Sequence, residues 1–170
     1  MKAKFIPIAL LLSIALSLLC GCDPFYGASG SYTFCQEWDN VAKVAICYHD
    51  DTDILVGSSE FGPLTTLTEL TEEQISSLYN DLKGVPAHEV EIPSFGLGQL
   101  LFVVTYSDGE QELIGLGMSA TIDADGSFKG YCEYAFADDP QMVKIFAKYA
   151  DPEVLGEYYD DFWRLYNLGV

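Results

Sequence analysis

Residues 100–136 read LLFVVTYSDGEQELIGLGMSATIDADGSFKGYCEYAF, and this stretch decides the fold. Its opening run is almost continuously apolar, which is typical of a central strand. Asp108-Gly109 predicts a two-residue hairpin turn, because both positions favour positive φ angles between strand-like segments. Asp125-Gly126 predicts a second hairpin further along, so the stretch forms an antiparallel meander. The strands predicted in it are Leu100–Tyr106, Gln111–Leu116, Met118–Asp123 and Phe128–Phe136.

A strand and a helix are predicted ahead of the meander. Val41–Tyr48 is an apolar strand candidate. Thr71 and Gln74 have the spacing of a capping box, in which each side chain bonds to the other residue's backbone N–H. The apolar positions that follow share one helical face, and they are Ile75, Leu78, Tyr79 and Leu82.

Two helices are predicted after the meander, because Asp139-Pro140 and Asp151-Pro152 are typical helix starts. The second helix has a broad aromatic face. Tyrosine and tryptophan dominate binding hot spots, so this face is a candidate contact surface, although such a stripe also packs against sheets as core. Exposure of Trp163 and Tyr166 would favour binding. The candidate binding residues are Tyr158, Tyr159, Phe162, Trp163 and Tyr166.

The leader is typical of an export signal. Lys2 and Lys4 precede an uncharged apolar run, Phe5–Leu19, which is shorter than the roughly 20 residues that cross a bilayer. Leu19-Cys20-Gly21-Cys22 follows it and resembles the lipobox of bacterial lipoproteins. This resemblance implies cleavage after Gly21 and a diacylglycerol on Cys22, which with further acylation such as palmitate would hold the protein on a membrane of the cell envelope. An uncleaved N-terminal helix and ordinary secretion are the alternatives, and all three readings put the body outside the cytoplasm.

The domain organisation follows from these segments. Residues 1–21 are the predicted signal peptide, and 22–40 are a predicted lipid-anchored tether rich in glycine and serine. Aromatic residues in the distal half of the tether suggest that it docks on the domain. Residues 41–170 form one α+β domain, an antiparallel meander sheet of about five strands with about three packed helices.

The chain is strongly acidic, with 26 Asp and Glu against 8 Lys and Arg and a formal charge of −18. Loss of Lys2 and Lys4 with the leader would bring the formal charge to about −20. Such a surface repels phosphate backbones, which excludes nucleic acid as a partner. It permits a cationic protein or peptide partner, although acidity also serves solubility alone.

Three cysteines remain if Cys22 carries lipid. Export permits one disulfide between two of Cys35, Cys47 and Cys132, in any of three pairings, with plain buried thiols as the default.

No catalytic, metal or cofactor motif stands in a supporting context. Gly115–Ala120 matches a dinucleotide fingerprint as a string, but a strand follows it where a helix is required. Residues 123–126 alternate carboxylates as a calcium loop does, but their glycine comes too early in the pattern. We therefore expect no cofactor, no metal and no enzyme.

Three function classes stay open. The first is a non-catalytic, surface-anchored binding or interaction module. The second is an acidic inhibitor or immunity-type protein acting on a cationic enzyme or toxin. The third is a cell-envelope hydrolase that uses a pair of carboxylates.

Overall fold

The computed structural model describes residues 26–49, 63–90, 99–136 and 139–168. In this part of the chain there are eight strands, four α-helices and one short 3-10 turn, Trp38–Asn40. The strands are β1 Tyr26–Ser31, β2 Val41–His49, β3 Leu64–Glu69, β4 Pro86–Val90, β5 Leu100–Tyr106, β6 Gln111–Gly115, β7 Met118–Ile122 and β8 Phe128–Phe136. The helices are α1 Glu72–Leu82, α2 Asp139–Tyr149, α3 Pro152–Tyr158 and α4 Phe162–Leu168.

All eight strands belong to one antiparallel sheet in the order β1-β4-β8-β7-β6-β5-β2-β3. The predicted meander, β5 to β8, occupies its middle, and β2 joins it beside β5. The α+β class and the meander sheet with packed helices are therefore confirmed. Three strands that the sequence did not predict, β1, β3 and β4, widen the sheet on its two sides.

The chain before β2 belongs to the domain from Tyr26 onward. Tyr26–Ser31 pairs with β4 as an edge strand, and Tyr32 is buried in the core. The described part of the expected tether, 26–40, is therefore strand and core rather than linker. The reason is that the Gly- and Ser-rich segment finds backbone partners on β4, which side-chain composition does not predict.

The two hairpin turns of the meander share one geometry. Gly109 and Gly126 have φ angles of 93° and 88°, and no other described residue has a positive φ. In each turn the glycine N–H donates to the carbonyl three residues earlier, on Tyr106 and on Asp123. The predicted two-residue turn at Asp108-Gly109 is wrong in this respect, because only the glycine is left-handed and the loop is longer.

The helices cover one face of the sheet. Phe102 of β5 stacks on Phe146 of α2 with ring centroids 4.0 Å apart, and the capping box of Thr71 and Gln74 is present at the start of α1. Along β5, the side chains between those that face the helices point to the opposite face of the sheet. There Leu101 and Val103 belong to a second apolar cluster. Burial on both faces explains why β5 is a continuous apolar run.

The second predicted C-terminal helix is in fact two helices, α3 and α4. The chain turns extended at Tyr159, with φ −136° and ψ 105°, and the amide of Phe162 donates to the Tyr159 carbonyl at 2.9 Å. Asp160 and Asp161 lie in this break, and aspartate is unfavourable in the interior of a helix. None of the helices in the described ranges is long and apolar enough to span a membrane.

Candidate functional site

The large exposed apolar side chains in the described part of the chain all belong to the last two helices. Trp163 is 44% exposed and Tyr158 is 37% exposed, and Val154 and Leu168 are exposed beside them in sequence. Among the described residues these four are the exposed large hydrophobics. We call them the C-terminal surface.

Local packing holds the ring of Trp163 at this surface. The indole lies so close to Gly156 of α3 that Nε1 is 2.4 Å from the place a Cβ would take. Tyr166 meets the indole edge-to-face at 5.8 Å, and Phe162 does so at 5.2 Å. Phe162 is fully buried and anchors α4 in the helix-side core. A rigid, partly wet aromatic ring of this kind is typical of a contact surface.

Exposed carboxylates lie on the same part of the chain as the C-terminal surface. The acidic side chains of α3 and of the turn before α4 are exposed, and among them Asp161 pairs with Arg164 at 2.9 Å. This pairing lowers the pKa of Asp161, chiefly through the hydrogen bond that Arg164 donates. The other exposed carboxylates in this region are Asp151, Glu153, Glu157 and Asp160.

The structure separates the five residues that the sequence proposed for binding. Trp163 and Tyr158 are exposed, whereas Tyr159 and Tyr166 are partly buried against the core. Phe162 is buried, so it supports the surface and cannot contact a partner. The split between α3 and α4 separates these side chains, because they do not share one helical face.

Both described cysteine side chains are thiols. Cys35 and Cys47 are not disulfide-bonded, and each of the three pairings possible among Cys35, Cys47 and Cys132 uses at least one of them. None of the pairings that export would permit is therefore formed in this structure. Cys35 and Cys47 do not pair because they lie on opposite faces of the sheet. Cys35 packs against the helix-side core, and Cys47 belongs to the cluster on the other face.

A buried carboxylate that the sequence did not single out lies under the helices. Glu112 of β6 is 1% exposed. Its Oε2 accepts a hydrogen bond from the Tyr106 hydroxyl at 2.5 Å and one from the Cys35 backbone N–H at 3.2 Å. The hydroxyl of Tyr32 donates to Oε1. The available signal was its place on a predicted strand two residues before Ile114, which puts both side chains on the same inward face.

Burial raises the pKa of Glu112, and the hydrogen bonds from Tyr106, Tyr32 and Cys35 partly counteract it. Burial likewise raises the pKa of both tyrosine hydroxyls. Each carboxylate oxygen already accepts from a donor of the protein itself. Glu112 therefore fastens the segment from Tyr32 to Cys35 onto β6, and no second carboxylate joins it among the described contacts.

Metal-ligating side chains do not cluster in the described ranges, where no group of three or more could hold an ion. The carboxylate of Asp125 is used inside its own turn, accepting from the amide of Ser127 at 2.9 Å. Cys22 and the leader lie outside the described residues.

No family model, no curated protein and no solved structure matches this chain. The exposed surface and its charge therefore carry the functional inference.

Proposed function

We propose that this protein is an exported bacterial lipoprotein whose folded domain is a non-catalytic binding module. The observation that carries the proposal is the exposure of Trp163 together with Tyr158 on the C-terminal surface. An exposed indole in a fixed position contributes much of the binding energy in protein contacts, because it buries a large area at little entropic cost.

The partner we propose is a cationic protein or peptide with apolar side chains. Exposed carboxylates such as Glu153 and Glu157 lie on the same helix as Val154 and Tyr158, and the whole chain has a formal charge of −18. Opposite charge speeds capture, while the apolar side chains supply the buried contact. The same charge makes nucleic acid an unfavourable partner.

The lipid on Cys22 would keep this module outside the cytoplasm and attached to a membrane of the cell envelope. An acidic body is repelled by anionic headgroups, so membrane contact depends on the acyl chains. The acidic inhibitor or immunity-type protein is the second candidate, favoured by the same charge. It differs in one respect, since the bound partner would lose an enzymatic or toxic activity.

Binding of a defined peptide tests the proposal. The full chain, purified in mild detergent, is titrated into a fluorescent amphipathic peptide of lysine and leucine, and into a counterpart with glutamate for lysine. We expect only the lysine peptide to bind, with an affinity that falls as salt rises. Trp163→Ser should weaken binding about tenfold, as expected for a hot-spot residue.

Matched controls separate the surface from general charge. Asn80→Ser changes an exposed residue of α1 and should leave the affinity unchanged. Glu157→Gln should weaken binding more than Glu73→Gln, although each removes one exposed carboxylate. Equal binding of the two peptides, or equal effects of Trp163→Ser and Asn80→Ser, would contradict the proposal.

A further inference from the structure

The sheet begins only a few residues after the proposed lipid attachment site. Strand β1 starts at Tyr26, and the lipobox resemblance puts the lipid on Cys22. A residue step spans at most about 3.5 Å, so the Cα atoms of these two residues lie no more than about 14 Å apart. A flexible tether over residues 22–40 would instead have an end-to-end distance of about 24 Å and would let the domain turn freely.

The fold prevents this short connection from lengthening. Strand β1 pairs with β4 from Tyr26 to Ser31. The next residue, Tyr32, is buried, its N–H donates to the carbonyl of Val85 at 2.9 Å, and its hydroxyl donates to Glu112. Pulling more chain out of the domain would break the edge pairing and then expose this tyrosine. A lipid on Cys22 would therefore hold the β1 edge of the sheet close to the bilayer.

Strand β1 suits a membrane surface because it carries no charge. Its sequence is Tyr-Gly-Ala-Ser-Gly-Ser, in a chain whose formal charge is −18. The neighbouring strand β4 contains one acidic residue, Glu89. Anionic headgroups repel carboxylates, so they would repel this edge less than the acidic C-terminal part of the chain. The acidic residues in that part are Asp151, Glu153, Glu157, Asp160 and Asp161.

The backbone of β1 is accessible from its outer side. It is the last strand on this side of the described sheet, so one row of its N–H and C=O groups has no strand partner there. Gly30 and Ser31 are exposed, and a Cβ at Gly30 would meet no atom within 4 Å. Because the side chains here are small, the oxygen atoms of lipid headgroups can approach the outward N–H groups.

We propose that the β1 edge, residues 26–31, is the surface of the domain that lies against the membrane holding its lipid. This inference rests on the lipid attachment in the proposed function. The short connection positions the edge, and the absence of charge on β1 lets it stay there.

The C-terminal surface belongs to the other side of the sheet. Tyr158 contacts Tyr48 of β2 with ring centroids 4.9 Å apart, and five strands lie between β2 and β1. The six spacings between these strands amount to about 29 Å measured along the sheet, at about 4.8 Å each. With β1 at the membrane, the C-terminal surface would be open to a partner that arrives from solution.

Paramagnetic lipids test which part of the domain lies at the membrane. The protein acylated in a bacterial host is reconstituted in nanodiscs of phosphatidylcholine and phosphatidylglycerol that include a gadolinium-chelating lipid. The relaxation of amide protons is compared with that in lanthanum-loaded discs. We expect Gly30 and Ser31 to show an enhancement at least about tenfold that of Val154 and Leu168, because the effect falls with the sixth power of distance.

Variants separate the two causes. Insertion of about 15 glycine and serine residues between Pro24 and Phe25 gives a reach of about 24 Å and should lower the enhancement at Gly30 at least about threefold. Ser31→Glu adds a carboxylate to β1 and should lower it at least about twofold in these anionic discs. Thr65→Glu adds the same charge at an exposed position of the other edge strand, β3, and should leave it unchanged.

Intact mass, measured first, distinguishes failure of this inference from failure of the proposed function. A protein without lipid would contradict both. In a lipidated protein, equal enhancement at Gly30 and Val154, or a larger one at Val154, would overturn the inference alone. So would an enhancement that the insertion leaves unchanged, or equal effects of Ser31→Glu and Thr65→Glu. Peptide binding at the C-terminal surface is measured in detergent and does not depend on this edge.

Discussion

Tyr106 on β5 donates a hydrogen bond of 2.5 Å to the carboxylate of Glu112 on the neighbouring strand β6, in the interior of the helix-side core. The same carboxylate binds the Tyr32 hydroxyl and the Cys35 amide, which precede β2 in the chain. A contact inside the meander thus also holds the N-terminal segment in place. The contribution of this contact to stability can be measured by removing one of the hydrogen-bond donors to Glu112.

Tyr106→Phe keeps the ring and removes the hydroxyl. We expect the free energy of unfolding to fall by about 1–3 kcal/mol, because a buried carboxylate loses a donor. Urea unfolding provides the measurement. Tyr166→Phe, at a partly buried ring on α4, is the control and should change stability by less than about 0.5 kcal/mol. Equal losses in the two variants would contradict this role for Tyr106.

Stability should depend on the ionisation of Glu112. Burial raises its pKa above the ordinary value of 4.5, so the native state binds a proton where the unfolded state has lost it. The resulting stabilisation is fully present below pH 4.5 and is lost as pH rises through the raised pKa of the folded state. Relative to Glu112→Gln, which cannot ionise, the wild type should lose stability over this range.

Chemical unfolding of both proteins at a series of pH values gives this difference. Asp125 and Asp161 have lowered pKa values, so their contributions are lost as pH falls, which is the opposite sign. These contributions are common to both proteins and cancel in the difference. A difference that is flat with pH, or that favours the wild type as pH rises, would show that Glu112 is not the group responsible.

Gly156→Ala should move the indole of Trp163. Helix propensity alone would make alanine stabilising by about 0.5–1 kcal/mol in α3. The new Cβ would instead lie 2.4 Å from Nε1 of Trp163, so the ring must shift and its emission spectrum should change. Gly84→Ala meets no atom within 4 Å and is the control. An unchanged tryptophan spectrum in Gly156→Ala would show that the indole does not rest there.

The two hairpin glycines should differ in their tolerance of alanine. Both have positive φ angles, so Gly109→Ala and Gly126→Ala should each cost about 1–2 kcal/mol. At Gly109 the new methyl would also lie 3.2 Å from the Cβ of Ala124, whereas at Gly126 it meets nothing within 4 Å. Thermal unfolding should therefore rank Gly109→Ala as the less stable variant, and the reverse order would contradict this packing.

Lipid attachment can be tested by intact mass in the native bacterium. The resemblance to a lipobox predicts loss of residues 1–21 and a mass increase from acyl chains on Cys22. Cys22→Ser should abolish the increase, while Cys20→Ser should retain it. A mass that still includes the leader, or a lipid that persists in Cys22→Ser, would refute the anchor.

The helix start and the meander could be predicted because their signals are local. The capping box at Thr71 depends on residues three apart, and the hairpins depend on adjacent turn residues. The strands β1 and β4 could not be predicted, since each is held by backbone bonds to a strand distant in the sequence. The strand β3 pairs with its neighbour β2, but its threonine-rich sequence is largely exposed and lacks an apolar pattern.

The candidate sites were only partly accessible to sequence reasoning. An aromatic stripe was visible, but the break at Tyr159 decides that Trp163 is exposed while Phe162 is buried. The packing of Phe34 on Tyr79 was not predicted, because the two residues lie far apart in the chain and meet only after folding.

The sequence by itself determined the acidity of this protein, the order of its central strands and the start of α1, because composition and short-range patterns act without the rest of the fold. Only the tertiary structure decided that Glu112 binds Tyr32 and Tyr106 and that three separate aromatic residues share one groove. Such contacts join residues distant in the chain, and their energy depends on burial, which no local pattern specifies.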